Sequence, residues 1–247
     1  MKNKFLIALL IAASIAGCKK DNKEPPKSIL QGTVYIDGTK EAVGVASNRV
    51  QLEIWQSGYA LFQKIPVYIA QDGTFSANLF DGQYKLVRLG GAPWSANTDT
   101  ILVNLKGSAT VDVPVKPYFK TSNDNFTFNA ADTSITATFS VSRIDPAKNA
   151  DRVSIHLGLT SFVDGVANQL PLPTANSDKA PASDYLTAAT TFKIYLNSAR
   201  YPGTSTAELR RQLDLAVSKG YLFARVGVRT AGVTERFYSQ VKQINLK

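Results

Sequence analysis

The chain has 247 residues, one cysteine, one histidine and a formal charge of +9. A single cysteine excludes an internally disulfide-stapled fold, and a single histidine excludes the multi-histidine sites that hold zinc. The basic residues are scattered without a nucleic-acid motif, so the charge reads as a solvated exterior suited to an anionic surface.

At the N-terminus, Lys2 and Lys4 precede a nearly unbroken apolar run from Phe5 to Ala16. That is an export signal in length, since a membrane-spanning helix needs roughly 20 apolar residues. The next stretch, Ile15-Ala16-Gly17-Cys18, resembles the bacterial lipobox, in which cysteine becomes the first mature residue. The resemblance implies that residues 1–17 are removed and that Cys18 carries a thioether-linked diacylglycerol and an N-acyl chain. One acyl chain binds a membrane marginally, whereas several make a lasting tether. A buried or free thiol at Cys18 is the alternative, and it leaves the flanking pattern unexplained. Residues 18–28 are charged and proline-rich, and we expect a disordered stalk. Lysines followed by acidic residues after Cys18 also resemble the surface-export signal of Bacteroidetes lipoproteins. That implies an outer-membrane anchor facing the cell exterior, although a generic tether has a similar composition.

Beyond the signal, 247 residues less 17 leaves 230, enough for two domains with real cores. Short alternating segments dominate: 50–55, 111–116, 153–159 and 222–228. In the clearest, Ile135, Ala137, Phe139 and Val141 face one way and Thr136, Thr138, Ser140 and Ser142 the other. Period two with one wet face predicts antiparallel sheets. Asp-Gly pairs at 37–38, 72–73, 81–82 and 164–165 supply turns. One helix is predicted near 206–218, with Ser205-Thr206-Ala207-Glu208 as a capping box, Leu209, Leu213, Ala216 and Val217 as its apolar stripe and Gly220 as its stop. A boundary near Pro117 divides 29–117 from 118–247. The polar stretch 170–191, with its prolines, is long for a loop, hence functional or mobile.

The first domain carries Gly32-Thr33-Val34-Tyr35-Ile36-Asp37, Asp72-Gly73-Thr74-Phe75 and Asp81-Gly82-Gln83-Tyr84, then Gly91-Ala92-Pro93-Trp94 and Val113-Pro114-Val115-Lys116-Pro117-Tyr118. The early strings resemble transthyretin-like, carboxypeptidase-regulatory-like sandwiches. The whole set resembles a Bacteroidetes family of two-domain surface lipoproteins of unknown function, whose second domain is an immunoglobulin-like sandwich. The resemblance implies an all-β chain of two antiparallel β-sandwiches with one short helix. It also implies association with SusC/SusD-type uptake of polysaccharides, and it carries over no binding residues.

Alternation places His156 on a wet strand face with Ser154, so we expect a surface residue rather than a catalytic base. No His-Asp-Ser constellation is arguable. Glycosidase chemistry needs two carboxylates; Glu53 and Asp112 sit at nominally wet positions, and nothing in the sequence pairs them. We therefore expect no enzyme, no metal, no cofactor and no nucleic-acid partner. Sugar rings stack on exposed aromatics. The candidates are Trp94 in a Gly/Pro-rich loop, Trp55 opposite Ile54 in its strand and Tyr59 at the following turn, with Tyr185 and Tyr201 flanking the long loop of the second domain. For each, the alternative reading is a loop aromatic folded back as a lid onto a sandwich edge. The expectation is a lipid-anchored accessory of a SusC/SusD-type transporter that binds glycan, with a docking subunit without ligand affinity as the alternative.

Overall fold

The structure, a computed structural model, describes residues 24–58 and 63–247. Cys18, its lipobox, most of the stalk and Tyr59 lie outside the described residues. The first sandwich contains β1 (Ser28–Ile36), β2 (Gln51–Gln56), β3 (Lys64–Tyr68), β4 (Thr74–Leu79), β5 (Gly82–Arg88), β6 (Thr100–Leu105), β7 (Ser108–Thr110) and β8 (Val113–Val115). One sheet runs β4-β1-β7 with β8 also on β1, and the other runs β3-β2-β5-β6. The sandwich forms as expected, its strand pairs antiparallel apart from two short ones. Strands β7 and β8 pair with β1 in parallel, setting Val34 opposite Val113 and Ile36 opposite Val115. A Cβ at residue 32 would lie 1.8 Å from the Val111 carbonyl oxygen, so only glycine lets the chain pass between the two short strands.

The second sandwich contains β9 (Phe119–Asn129), β10 (Ser134–Arg143), β11 (Ala150–Gly158), α1 (Thr174–Ser177), β12 (Asp178–Lys179), β13 (Thr190–Tyr195), α2 (Ala207–Lys219), β14 (Tyr221–Thr230), β15 (Arg236–Tyr238) and β16 (Lys242–Asn245). Its sheets run β13-β10-β9 and β12-β11-β14-β15, with β16 on β14. Ile135, Ala137, Phe139 and Val141 are all buried, as their alternation predicts. Each fully buried aliphatic side chain contributes roughly 1.5–3 kcal/mol. Buried apolar residues of the two sandwiches form one contiguous cluster.

Helix α2 forms where its periodicity places it, with its cap shifted by one residue. Thr206 rather than Ser205 is the N-cap, its hydroxyl accepting from the Leu209 amide at 3.0 Å. Glu208 pairs with Arg211 and Gln212 instead of reaching back to the cap. Leu209, Leu213 and Ala216 face the core, whereas Val217 is exposed. Gly220 ends the helix at φ +75°. The 170–191 segment is tied down rather than free. It contains α1 and the edge strand β12, and Asp178 pairs with both Arg152 and Arg236. The Tyr185 hydroxyl accepts from Arg143 at 3.0 Å.

Candidate functional site

Of the aromatic candidates, Trp94 is fully buried, which overturns its reading as an exposed stacking platform. The loop that carries it bridges antiparallel to Pro117, with the Tyr118 amide donating to the Pro93 carbonyl, and this pairing turns the indole into the core. Tyr201 is also buried, its hydroxyl donating to the Tyr195 carbonyl. Tyr185 and Trp55 are half-buried. Trp55 shares a sheet face with its cross-strand neighbours Lys64 and Lys85, away from Trp94. The structure therefore does not bring Trp55 and Trp94 together.

Two wide clefts instead flank Tyr68, a residue not among the sequence candidates. Val67 and Ile69 point inward around it, so alternation at the end of β3 turns Tyr68 out, and it is 50% exposed. On one side lies a cleft of about 500 Å³ lined by Asn48, Arg49, Gln51, Gly90 and Gly91 of the first sandwich and Glu235 of the second. Arg49 Nε stands 3.5 Å from Glu235 Oε1, so both domains build this cleft. A second cleft of about 520 Å³ is lined by Gln31, Thr33, Thr74, Ser76 and Thr110. Tyr68 and Asn48 belong to both walls. Asn48 holds φ +57°, a left-handed conformation asparagine tolerates better than most residues. The arrangement offers an aromatic face between planar amides and hydroxyls. Such a set recognises a ring with apolar C–H faces and hydroxyl edges.

The one histidine also needs correction. His156 is buried, together with Ser154, because the second face of β11 and β14 packs against the 163–169 loop and the first sandwich. Its Nδ1 lies 2.8 Å from Gln169 Oε1 and its Nε2 2.9 Å from Ser154 Oγ. Burial, opposed by the Gln169 hydrogen bond and reinforced by Arg236 and Arg225, lowers its pKa to about 4. The imidazole is thus neutral and enclosed. Beside it, the fully buried Arg225 donates to four carbonyls: Ser239 and Val163 of its own sandwich, Val45 and Gln71 of the other. The Tyr238 ring covers it at 4.4 Å. This cluster joins the domains, with His156 and Arg225 both buried in it. Glu53 is likewise buried rather than wet, paired with Lys64 at 2.6 Å, while Asp112 is exposed and accepts from the Thr33 amide. Among the described residues no three His, Cys, Asp or Glu side chains group as metal ligands. No helix among them is long and apolar enough to cross a membrane.

Fold and clefts define a two-domain β-sandwich protein whose domains are locked together beside a shared surface depression. Residues 28–116 match the family described as protein of unknown function (DUF3823), N-terminal domain, and residues 121–243 match its C-terminal domain of unknown function. The chain belongs to this DUF3823 family. A family member from Bacteroides ovatus is 35% identical with a TM-score of 0.72, and one from Parabacteroides merdae is 32% identical with a TM-score of 0.73. Each comparison covers 90% of this chain and 100% of the other. A proposed carbohydrate-binding protein from Bacteroides uniformis shares the fold, with 18% identity, a TM-score of 0.68 and the same coverage. No curated protein matches the chain.

Proposed function

We propose that this protein is a lipid-tethered, outer-membrane surface protein that captures glycan at the paired clefts astride Tyr68. The observation that carries the reading is a half-exposed tyrosine between two hydroxyl- and amide-lined depressions. The lipobox-like stretch ending at Cys18 supports the tether, and the description of the Bacteroides uniformis relative accords with the ligand class. In this reading the protein serves a SusC/SusD-type uptake system as a binding accessory and not as an enzyme. Its sole histidine is neutral and enclosed, and Glu53 is committed to Lys64. Affinity electrophoresis of the full chain against a panel of neutral polysaccharides tests the proposal. Retardation by at least one polymer, lost in Tyr68→Ala, is expected; retardation unaffected by that change refutes the cleft assignment.

A docking role has one specific observation in its favour. Leu102 is 75% exposed on the outer face of the β3-β2-β5-β6 sheet, in the cross-strand row Trp55–Lys85–Leu102. That reading predicts no retardation on any polymer and co-purification with a transporter that Leu102→Asp abolishes.

A further inference from the structure

Two arginines of this protein are buried without an ion pair among the described residues, and they differ in one respect. Arg225 spends its guanidinium on four carbonyls. Arg88, at the end of β5, is 8% exposed and donates only to the Pro114 carbonyl at 2.9 Å and the Asp99 carbonyl at 3.2 Å. Its Nε has no partner among the described residues. A buried guanidinium carries five N–H donors, and one left without a counter-charge is costly. Arg88 also differs in having space beside it. A pocket of about 270 Å³ is lined by Arg88, Ser95, Asn97 and Lys116, with Asp37 at its rim. Asn97 uses its oxygen to accept from the Asp99 amide, which leaves its amide N–H donors unengaged among the described residues. Lys116 lies 3.8 Å from Asp37, and both are exposed, so that pair is weak and one positive charge in the pocket remains unmatched.

We propose that this pocket is a subsite for a single compact oxyanion, a carboxylate or sulfate group carried on a sugar. Its volume, below that of an ordinary small-molecule site, suits one charged group rather than an oligomer. The Arg88 side receives the anion, and Asn97 and Lys116 complete the donor set from the β5–β6 loop and the segment after β8. The loop 89–99 also supplies Gly90 and Gly91 to the cleft beside Tyr68, so the two sites lie on one connection yet share no side chain. The sugar carrier rests on the glycan role proposed above, whereas the anion site itself does not depend on neutral-glycan capture at Tyr68.

The test is calorimetric titration of the full chain with sodium glucuronate, methyl sulfate and glucose. Saturable binding of an anion but not of glucose is expected, weakened about tenfold or more by Arg88→Met, as loss of a charge-assisted donor implies. Asn97→Ala, at a partly exposed loop position, weakens it too and decides the matter should Arg88→Met fail to fold. Tyr68→Ala leaves anion binding unchanged while removing retardation by neutral polymer. Tighter glucuronate identifies a carboxylate as the preferred anion, and tighter methyl sulfate a sulfate ester. Absence of binding by both anions, equal binding of glucose, or unchanged affinity in a folded Asn97→Ala or Arg88→Met protein overturns the proposal.

Discussion

Acidification from pH 7 to pH 5 should destabilise this protein through one residue. His156 titrates at about 4 when folded and at about 6.5 when unfolded. Between those values the unfolded chain binds more protons than the native one, so stability is full above about pH 6.5 and falls as pH drops toward 4. At pH 5 the folded imidazole still resists protonation, and the loss relative to pH 7 comes to about 2 kcal/mol. For a chain of this size that is a fall of about 4–8 °C in Tm. Ordinary carboxylates remain mostly ionised at pH 5, and no second histidine exists to share the effect. The groups around the ring that set its charge environment are Arg225, Arg236 and Asp178. Urea unfolding at both pH values, for the native chain and for His156→Gln, isolates the contribution. The native midpoint should drop at pH 5 with little change in slope, and the variant's midpoint should stay nearly fixed. Equal losses in both proteins would refute the placement of His156 in a dry interdomain layer.

Arg225→Met should leave the carbonyls of Val45, Val163 and Ser239 without its donors, while the Gln71 carbonyl still accepts from the Val45 amide, costing about 3 kcal/mol or more at roughly 1–3 per orphaned buried acceptor. Calorimetry should then resolve two unfolding transitions in place of one. Trp94→Ala should cost about 3–5 kcal/mol by thermal unfolding, as for a large core aromatic, and should leave polymer retardation intact below its new Tm. Trp94→Phe should cost much less, because the indole Nε1 has no hydrogen-bond partner among the described residues. Thr206→Ala should remove about 1 kcal/mol, and Ser205→Ala close to none, since only the threonine caps α2.

Local periodicity was readable because it depends on neighbours in the chain. The alternation through Ile135–Val141 and the i, i+4, i+7 stripe of α2 both appear as written. What packs against a face is a different question. The polar face of β11 resembles a solvated one, with Ser154 and His156, yet the other sandwich covers it, and hydrogen bonding within the layer makes those polar groups acceptable there. Trp94 failed for a related reason: a glycine-rich loop is locally exposed by habit, and only the bridge to Pro117 turns it inward. The N-cap was ambiguous because serine and threonine stand side by side. Tyr68 was legible in principle, since Val67 and Ile69 fix its direction. The clefts beside it were not, because their walls come from segments up to 187 positions apart, from Asn48 to Glu235.

The parallel pairing of β1 has a mechanical consequence. Tension on the N-terminal segment enters the fold at Ser28 and runs along β1. That strand is gripped on one edge by β4 and on the other by β7 and β8. A pull along its axis loads these ladders in shear, so many hydrogen bonds must yield together instead of opening one at a time. Forced detachment is then governed by the unfolding rate of the whole first sandwich. In the proposed tethered state, drag on a captured ligand would thus be borne without the leading strand peeling away.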